Sequence, residues 1–163
     1  MKIMIFTEGT IIMHKNAVGH TREEIVQQVI DKESSINDYE SYIPISNAVE
    51  KLTRWKDQGA EIIYLTSRRK PAEINDIKSV LKNYNFPDGE LLFRQEGEEY
   101  KDVAERIIPD VLIEDNCESI GGTKEMTITH VDPTIKAKII SIPVSEFGGV
   151  DHLGDEVLKG VIK

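Results

Sequence analysis

The chain has 163 residues, 39% hydrophobic and 30% charged, with a formal net charge of −9. That length fits one domain with a real core, and the composition is globular rather than disordered. The negative balance disfavours a nucleic-acid partner, whose backbone is bound by Lys and Arg neutralising phosphates. No run approaches the roughly 18 apolar residues of a membrane span, so no membrane partner is expected. The apolar start Ile3–Phe6 is too short for a signal peptide and lacks a small-residue cleavage site. A single cysteine, Cys117, excludes an internal disulfide and any multi-cysteine metal site. The expected setting is a reducing cytoplasm.

In chain order, Ile3 to Phe6 reads as a buried strand that ends in the polar loop Thr7-Glu8-Gly9-Thr10. A helix is predicted from Thr21, where Thr21 and Glu24 form a capping-box pair and Ile25, Val26, Val29 and Ile30 supply an apolar stripe. Residues 31–42 are polar and irregular. A second helix begins near Ser46, with Ala48, Val49, Leu52 and Trp55 on one face, and stops at Gly59. Ile62 to Leu65 is the clearest buried strand, ending at Thr66-Ser67-Arg68. Pro71 opens a helix carrying Ile74, Ile77, Leu81 and Tyr84 at helical spacing. Leu91 to Phe93 is a short strand, Glu98 to Ile107 a helix containing Lys101, and Val111 to Ile113 a buried strand ending at Glu114-Asp115-Asn116. Two β-like runs, Met126 to Val131 and Lys138 to Ile142, precede a weak helix around Leu153 to Val161.

Apolar runs alternating with amphipathic segments predict an α/β fold: a three-layer α/β/α, Rossmann-like parallel sheet. Residues 1–163 form one domain, with residues 11–42 as a flap and minimal cap. Ligands of such sheets bind beyond the carboxyl ends of the strands. Three of those ends are polar here: Thr7-Glu8-Gly9-Thr10, Thr66-Ser67-Arg68 and Glu114-Asp115-Asn116. Hydroxyls and a lysine can hold phosphate oxygens, and a carboxylate pair can hold Mg²⁺ that bridges to the phosphate. Taken singly, each element has a plainer reading. Glu8-Gly9-Thr10 also reads as a turn, Thr66 and Ser67 as caps of the Pro71 helix, and Lys101 as a solvated charge.

The order of these clusters resembles the haloacid dehalogenase-like hydrolase superfamily, especially its small nucleotidase-like members. Thr66 after Ile62-Ile63-Tyr64-Leu65 matches the second motif, Lys101 in Tyr100-Lys101-Asp102 the third, and Asp110-Val111-Leu112-Ile113-Glu114-Asp115 the fourth. Tyr42 to Val49 is similar to the family as well, and the resemblance covers residues 2–120. It implies a small phosphorylated substrate and Mg²⁺. Glu8, Thr66, Lys101 and Asp115 would be the catalytic set, Thr7, Gly9, Thr10, Ser67 and Arg68 the substrate contacts, and Glu8, Glu114 and Asp115 the metal ligands.

The first motif departs from the family's Asp-x-Asp-Gly-Thr. Aligning Gly9-Thr10 places Glu8 at the second acidic position and Phe6 at the nucleophile. Phenylalanine can neither attack phosphorus nor ligate Mg²⁺ through its side chain. A one-residue slip would make Thr7 the nucleophile with Glu8 as its base. Two functions follow: a phosphohydrolase-related protein with an altered nucleophile, or a catalytically inactive member that binds a phosphoester. Cys117 lies at the same rim, as a small hydrophobe or a reactive thiol. His14, His20, His130 and His152 lack metal-ligand spacing.

Overall fold

The computed structural model describes residues 1–160. β1 (Lys2–Phe6) is followed by two short strands, β2 (Ile12–Met13) and β3 (Ile43–Pro44), then by β4 (Glu61–Leu65), β5 (Glu90–Leu92), β6 (Val111–Asp115) and β7 (Ile140–Val144). The helices are α1 (Arg22–Ile30), α2 (Ala48–Asp57), α3 (Pro71–Asn83) and α4 (Tyr100–Ile107), with the single turns α5 (Thr127–His130) and α6 (Pro133–Lys136). Five strands make one sheet in the order β5-β4-β1-β6-β7, and β2 and β3 form a separate antiparallel pair. All pairings in the large sheet are parallel.

A parallel sheet is covered on both faces, so its strands are apolar throughout. Ile3, Met4 and Ile5 in the central strand are accordingly fully buried. Ile3, Ile5, Ile62, Tyr64 and Ile113 pack against Leu52 and Trp55 of α2 and Ile77 of α3. Met4, Phe6, Ile63, Leu65 and Leu112 face Val103 and Ala104 of α4, with Met126 and Ile128. The result is the expected three-layer α/β/α arrangement. After β1 the chain builds outward through β4 and β5, then crosses to β6 and β7 on the other side. Strand order therefore reverses beside β1, which is where open α/β sheets hold ligands.

The segment between β1 and α2 leaves through β2 and returns through β3, which pairs Ile12 with Pro44 and Met13 with Ile43. Of the stripe expected on α1, only Ile25 is buried, while Ile30 is 54% exposed. The helix is capped by the Thr21 hydroxyl, which accepts from the Glu24 amide. Its neighbour across the rim is the loop after β6, where Arg22 donates to Glu118 at 2.6 Å.

Three expectations for the last third of the chain are corrected. Met126 to Val131 alternates like a strand, yet Thr127–His130 is a helical turn. The reason is long-range: the buried Glu114 carboxylate accepts from the Thr127 amide at 2.6 Å and the Ile128 amide at 3.0 Å, satisfying donors a helix start leaves open. The following strand is Ile140–Val144, two residues later than the expected run. It continues through Pro143, tolerable because β7 is an edge strand and proline lacks only a donor. The helix expected at Leu153 to Val161 is a 3-10 turn over Asp155–Lys159, and Val161 lies outside the described residues.

Truncating the central strand should expose how unevenly stability is distributed. Ile5→Ala should cost about 2–5 kcal/mol, and Ile30→Ala on the half-exposed side of α1 less than about 1 kcal/mol. Urea unfolding of the two variants against wild type measures both; equal losses would contradict the burial of β1.

Candidate functional site

The three polar strand ends converge, because β4, β1 and β6 are adjacent and parallel. After β1 the chain turns back on itself. The Thr7 carbonyl accepts from the Ile11 amide at 2.9 Å and the Ile12 amide at 3.1 Å. Gly9 occupies this turn at φ 81°, where a side chain is strained, and a Cβ there would stand 3.1 Å from Asp115 Oδ2. The turn thus presses against the end of β6, and Thr10 donates to Asp115 Oδ2 at 3.1 Å.

Glu8 points the other way, toward β4. Its carboxylate accepts from the Thr7 hydroxyl at 2.5 Å, the Thr66 hydroxyl at 2.5 Å and the Ser67 amide at 3.1 Å. Thr7 itself is fully buried. Thr66 also accepts from the Arg68 amide at 3.2 Å, so it braces the loop after β4. The N-cap of α3 is Lys70, without a side-chain cap bond, so neither Thr66 nor Ser67 caps that helix.

Phe6, Glu8, Ser67, Tyr100, Asp115 and Glu146 line a cavity of about 170 Å³ at the rim, together with Glu114 and Cys117. Phe6 is buried and packs edge-on against Tyr100, ring centroids 5.1 Å apart. A larger groove of about 900 Å³ runs between α3 and the β5 edge and contains none of the candidate site residues.

Four carboxylates at this rim, Glu8, Glu114, Asp115 and Glu146, are held by protein donors. Asp115 Oδ1 accepts from the Cys117 amide at 2.9 Å. Glu146 accepts from the Ser119 hydroxyl at 2.6 Å and its amide at 2.7 Å, and Glu114 is taken up by α5. Among the described residues, no group of three or more His, Cys, Asp or Glu is arranged to hold a metal ion. Glu8, Glu114 and Asp115 line the one cavity but do not form such a group, each being engaged by donors of its own.

Lys101 makes no hydrogen bond or ion pair among the described residues and does not line the cavity; its neighbour Tyr100 does. The cations near the rim are arginines instead. Arg68 lies over the Tyr39 ring, 4.6 Å from its centroid, donates to the Tyr39 hydroxyl, and bonds Ser67 Oγ at 3.2 Å. Arg94 stacks on Tyr100 at 4.0 Å and donates to the Ser67 carbonyl at 3.1 Å. Sequence reasoning missed Glu146, Tyr100 and Arg94. Glu146 carried a signal, a polar residue just past a strand, hidden by the misplaced end of β7. The histidines contribute nothing here: His14 is buried against Gln28 at 2.8 Å, and His20 pairs with Glu24 at the surface.

Burial raises the Asp115 carboxyl from 3.8 to about 6, with Glu146 adding repulsion and the Cys117 amide opposing. Burial, then Asp115 and Glu114, push the Cys117 thiol up to about 12.

No protein-family model matches the chain, and no curated protein matches it by sequence. Solved structures do. The class C acid phosphatase from Bacillus anthracis matches with a TM-score of 0.55 at 13% identity, over 99% of this chain and 79% of that one. The same phosphatase with tungstate bound matches at 0.54 and 13%, over 91% and 68%. A chain of the Pnkp1/Rnl/Hen1 RNA repair complex matches at 0.52 and 13%, over 89% of this chain and 43% of that chain, so this chain spans less than half of that relative's length. At 13% identity these likenesses show a shared α/β fold. No described helix is long and apolar enough to cross a membrane.

Two measurements follow from the carboxyl and thiol shifts. A carboxyl whose folded pKa is raised favours the folded state when protonated. That contribution is full below about pH 4 and lost as pH rises through about 6. Asp115→Asn should therefore be more stable than wild type at pH 7.5, by on the order of 2 kcal/mol, and lose that advantage near pH 4.5. Equal urea midpoints at both pH values would mean an ordinary carboxyl. Cys117 should resist iodoacetamide at pH 8 in the native protein and react only in urea, since the thiolate is the nucleophile; rapid native alkylation would contradict this.

Proposed function

We propose that this chain is a non-catalytic phosphoester-binding protein on a haloacid dehalogenase-like fold. The observation that carries this reading is Phe6, whose ring stands at the end of β1, on the cavity wall and against Tyr100. Covalent phosphoryl transfer at that position needs a carboxylate that can attack in line, and an aromatic ring has no electron pair to offer.

The alternative nucleophile fares no better. Thr7 is close enough to Glu8 for a base to accept its proton, at 2.5 Å. Yet Thr7 is 0% exposed and lies within 3.4 Å of the Leu65 carbonyl, so no substrate phosphorus can approach its oxygen. Glu8 is likewise engaged: its donors at Thr66 and Ser67 fix it on β4 rather than facing a leaving group. The chain's own residues can still do one part of phosphoester chemistry, which is to bind and orient. The bound tungstate of the Bacillus anthracis phosphatase supports an oxyanion as the kind of ligand this fold accommodates.

Wild-type protein should release no phosphate above background from phenyl phosphate, with or without Mg²⁺, and should form no acyl-phosphate. Phe6→Asp places a carboxylate beside Asp115 and should bind Mg²⁺ more tightly than wild type by calorimetry, whether or not turnover appears. Turnover by wild type that Asp115→Asn abolishes would overturn the non-catalytic reading.

A further inference from the structure

Arg94 follows β5 and places its guanidinium over the Tyr100 ring, with Nη2 on the Ser67 carbonyl. Nε of the same group is buried and has no hydrogen-bond partner. Among the described residues, no carboxylate lies within ion-pair distance of Arg94 or of Arg69. Arg68, the third arginine at this corner, has only Glu73, at 3.9 Å. Taking a charged group out of water without a partner is costly. Here the cost is compounded, since burial first, and then the charges of Arg69 and Arg68, lower the Arg94 pKa, with Tyr100 opposing. In a chain of net charge −9, two arginines that both bond Ser67, with Arg69 next in the chain and held only by the Glu98 carbonyl, point to a counter-anion from outside the chain.

We infer that Arg94 and Arg68, on either side of Ser67, form the oxyanion subsite of this protein and take the phosphate group of a phosphomonoester. Guanidinium groups suit that role because their planar forks match phosphate oxygens, and they remain charged when partly desolvated. Tyr100 and Tyr39 hold the two planes by cation–π stacking, so little side-chain freedom is lost on binding. The cavity wall, which carries Glu8, Glu114, Asp115, Glu125 and Glu146, repels a dianion. Ser67 belongs to both surfaces, so the phosphate lies on the arginine side and the ester substituent reaches the cavity across Tyr100. This assignment rests on the phosphoester-binding reading and names the residues that hold its ligand.

The test is calorimetric titration of wild type, Arg94→Ala, Arg94→Lys and Lys101→Ala with inorganic phosphate and with phenyl phosphate, all without divalent metal. Wild type should bind both. Arg94→Ala should lose at least about tenfold in affinity, the worth of one charge-assisted hydrogen bond, and more than Lys101→Ala loses. Arg94→Lys, which keeps the charge and most of the bulk, should also weaken binding, because a point charge lacks the fork; it serves as the probe should Arg94→Ala not fold. Wild type that binds neither probe, or Arg94 variants that bind as wild type does, would overturn the assignment. The two claims fail separately. Phosphate binding independent of Arg94 removes the arginine subsite alone, and phenol release in the same samples removes the non-catalytic reading alone.

Discussion

The Glu8 carboxylate ties the turn after β1 to the end of β4, through Thr66 and the Ser67 amide, and the rest of the rim follows from that tie. With Glu8 drawn toward β4, the turn leans its glycine on Asp115 and Thr10 reaches the end of β6. The Gly9 carbonyl is left to accept from the Phe147 amide at 2.8 Å, which brings the segment after β7 over the site and with it Glu146. Glu8, Gly9 and Thr10, three consecutive residues, thus join three strand ends and a fourth segment. The hydroxyl and amide it occupies are donors that an anionic ligand could otherwise use, so the same contact that orders the rim also fills part of it.

Buried carboxylates are tolerated when hydrogen-bonded and costly when not. Glu114 and Glu146 each take two donors from neighbouring segments, and Asp115 takes one on each oxygen. These are structural satisfactions. They anchor α5, the loop around Ser119 and the turn after β1. A hard cation needs several oxygens converging in near-octahedral order, and these oxygens are already aimed at separate amides and hydroxyls.

Much of this was legible in the sequence because parallel strands, buried on both faces, announce themselves as apolar runs, and the polar residues that stop them mark the rim. Phe6, Leu65 and Ile113 ended their runs, and Glu8, Thr66 and Asp115 do meet. What escaped depends on rotation and on distance. Tyr100 and Lys101 differ by one position, which on a helix is a turn of about 100°. Nothing local says which of the two faces the cavity. The Met126 to Val131 run shows the correct alternation for a strand and is bent into a helix by a carboxylate twelve or more positions earlier in the chain. Arg94 stood in no motif; only the parallel placement of β5 beside β4 brings it onto Ser67.

The rim consequently separates its charges. Acids line the cavity beside β1, β6 and β7, arginines cluster beyond β4 and β5, and Ser67 with Tyr100 stands between them. In an ordinary metal-assisted phosphatase site the two signs have to act on one phosphate, and a divalent ion makes an acidic wall attractive to an anion. With the ring of Phe6 in that wall and no converging oxygens, the acids present uncompensated negative potential, at short range and in a partly desolvated setting where Coulomb energies are large. On the proposed reading, a phosphate is then driven to the arginine side and stands across Tyr100 from Asp115, out of line with any group that could accept or deliver it. Phe6 in place of a carboxylate would then suit the site to retaining a phosphoryl group rather than transferring one.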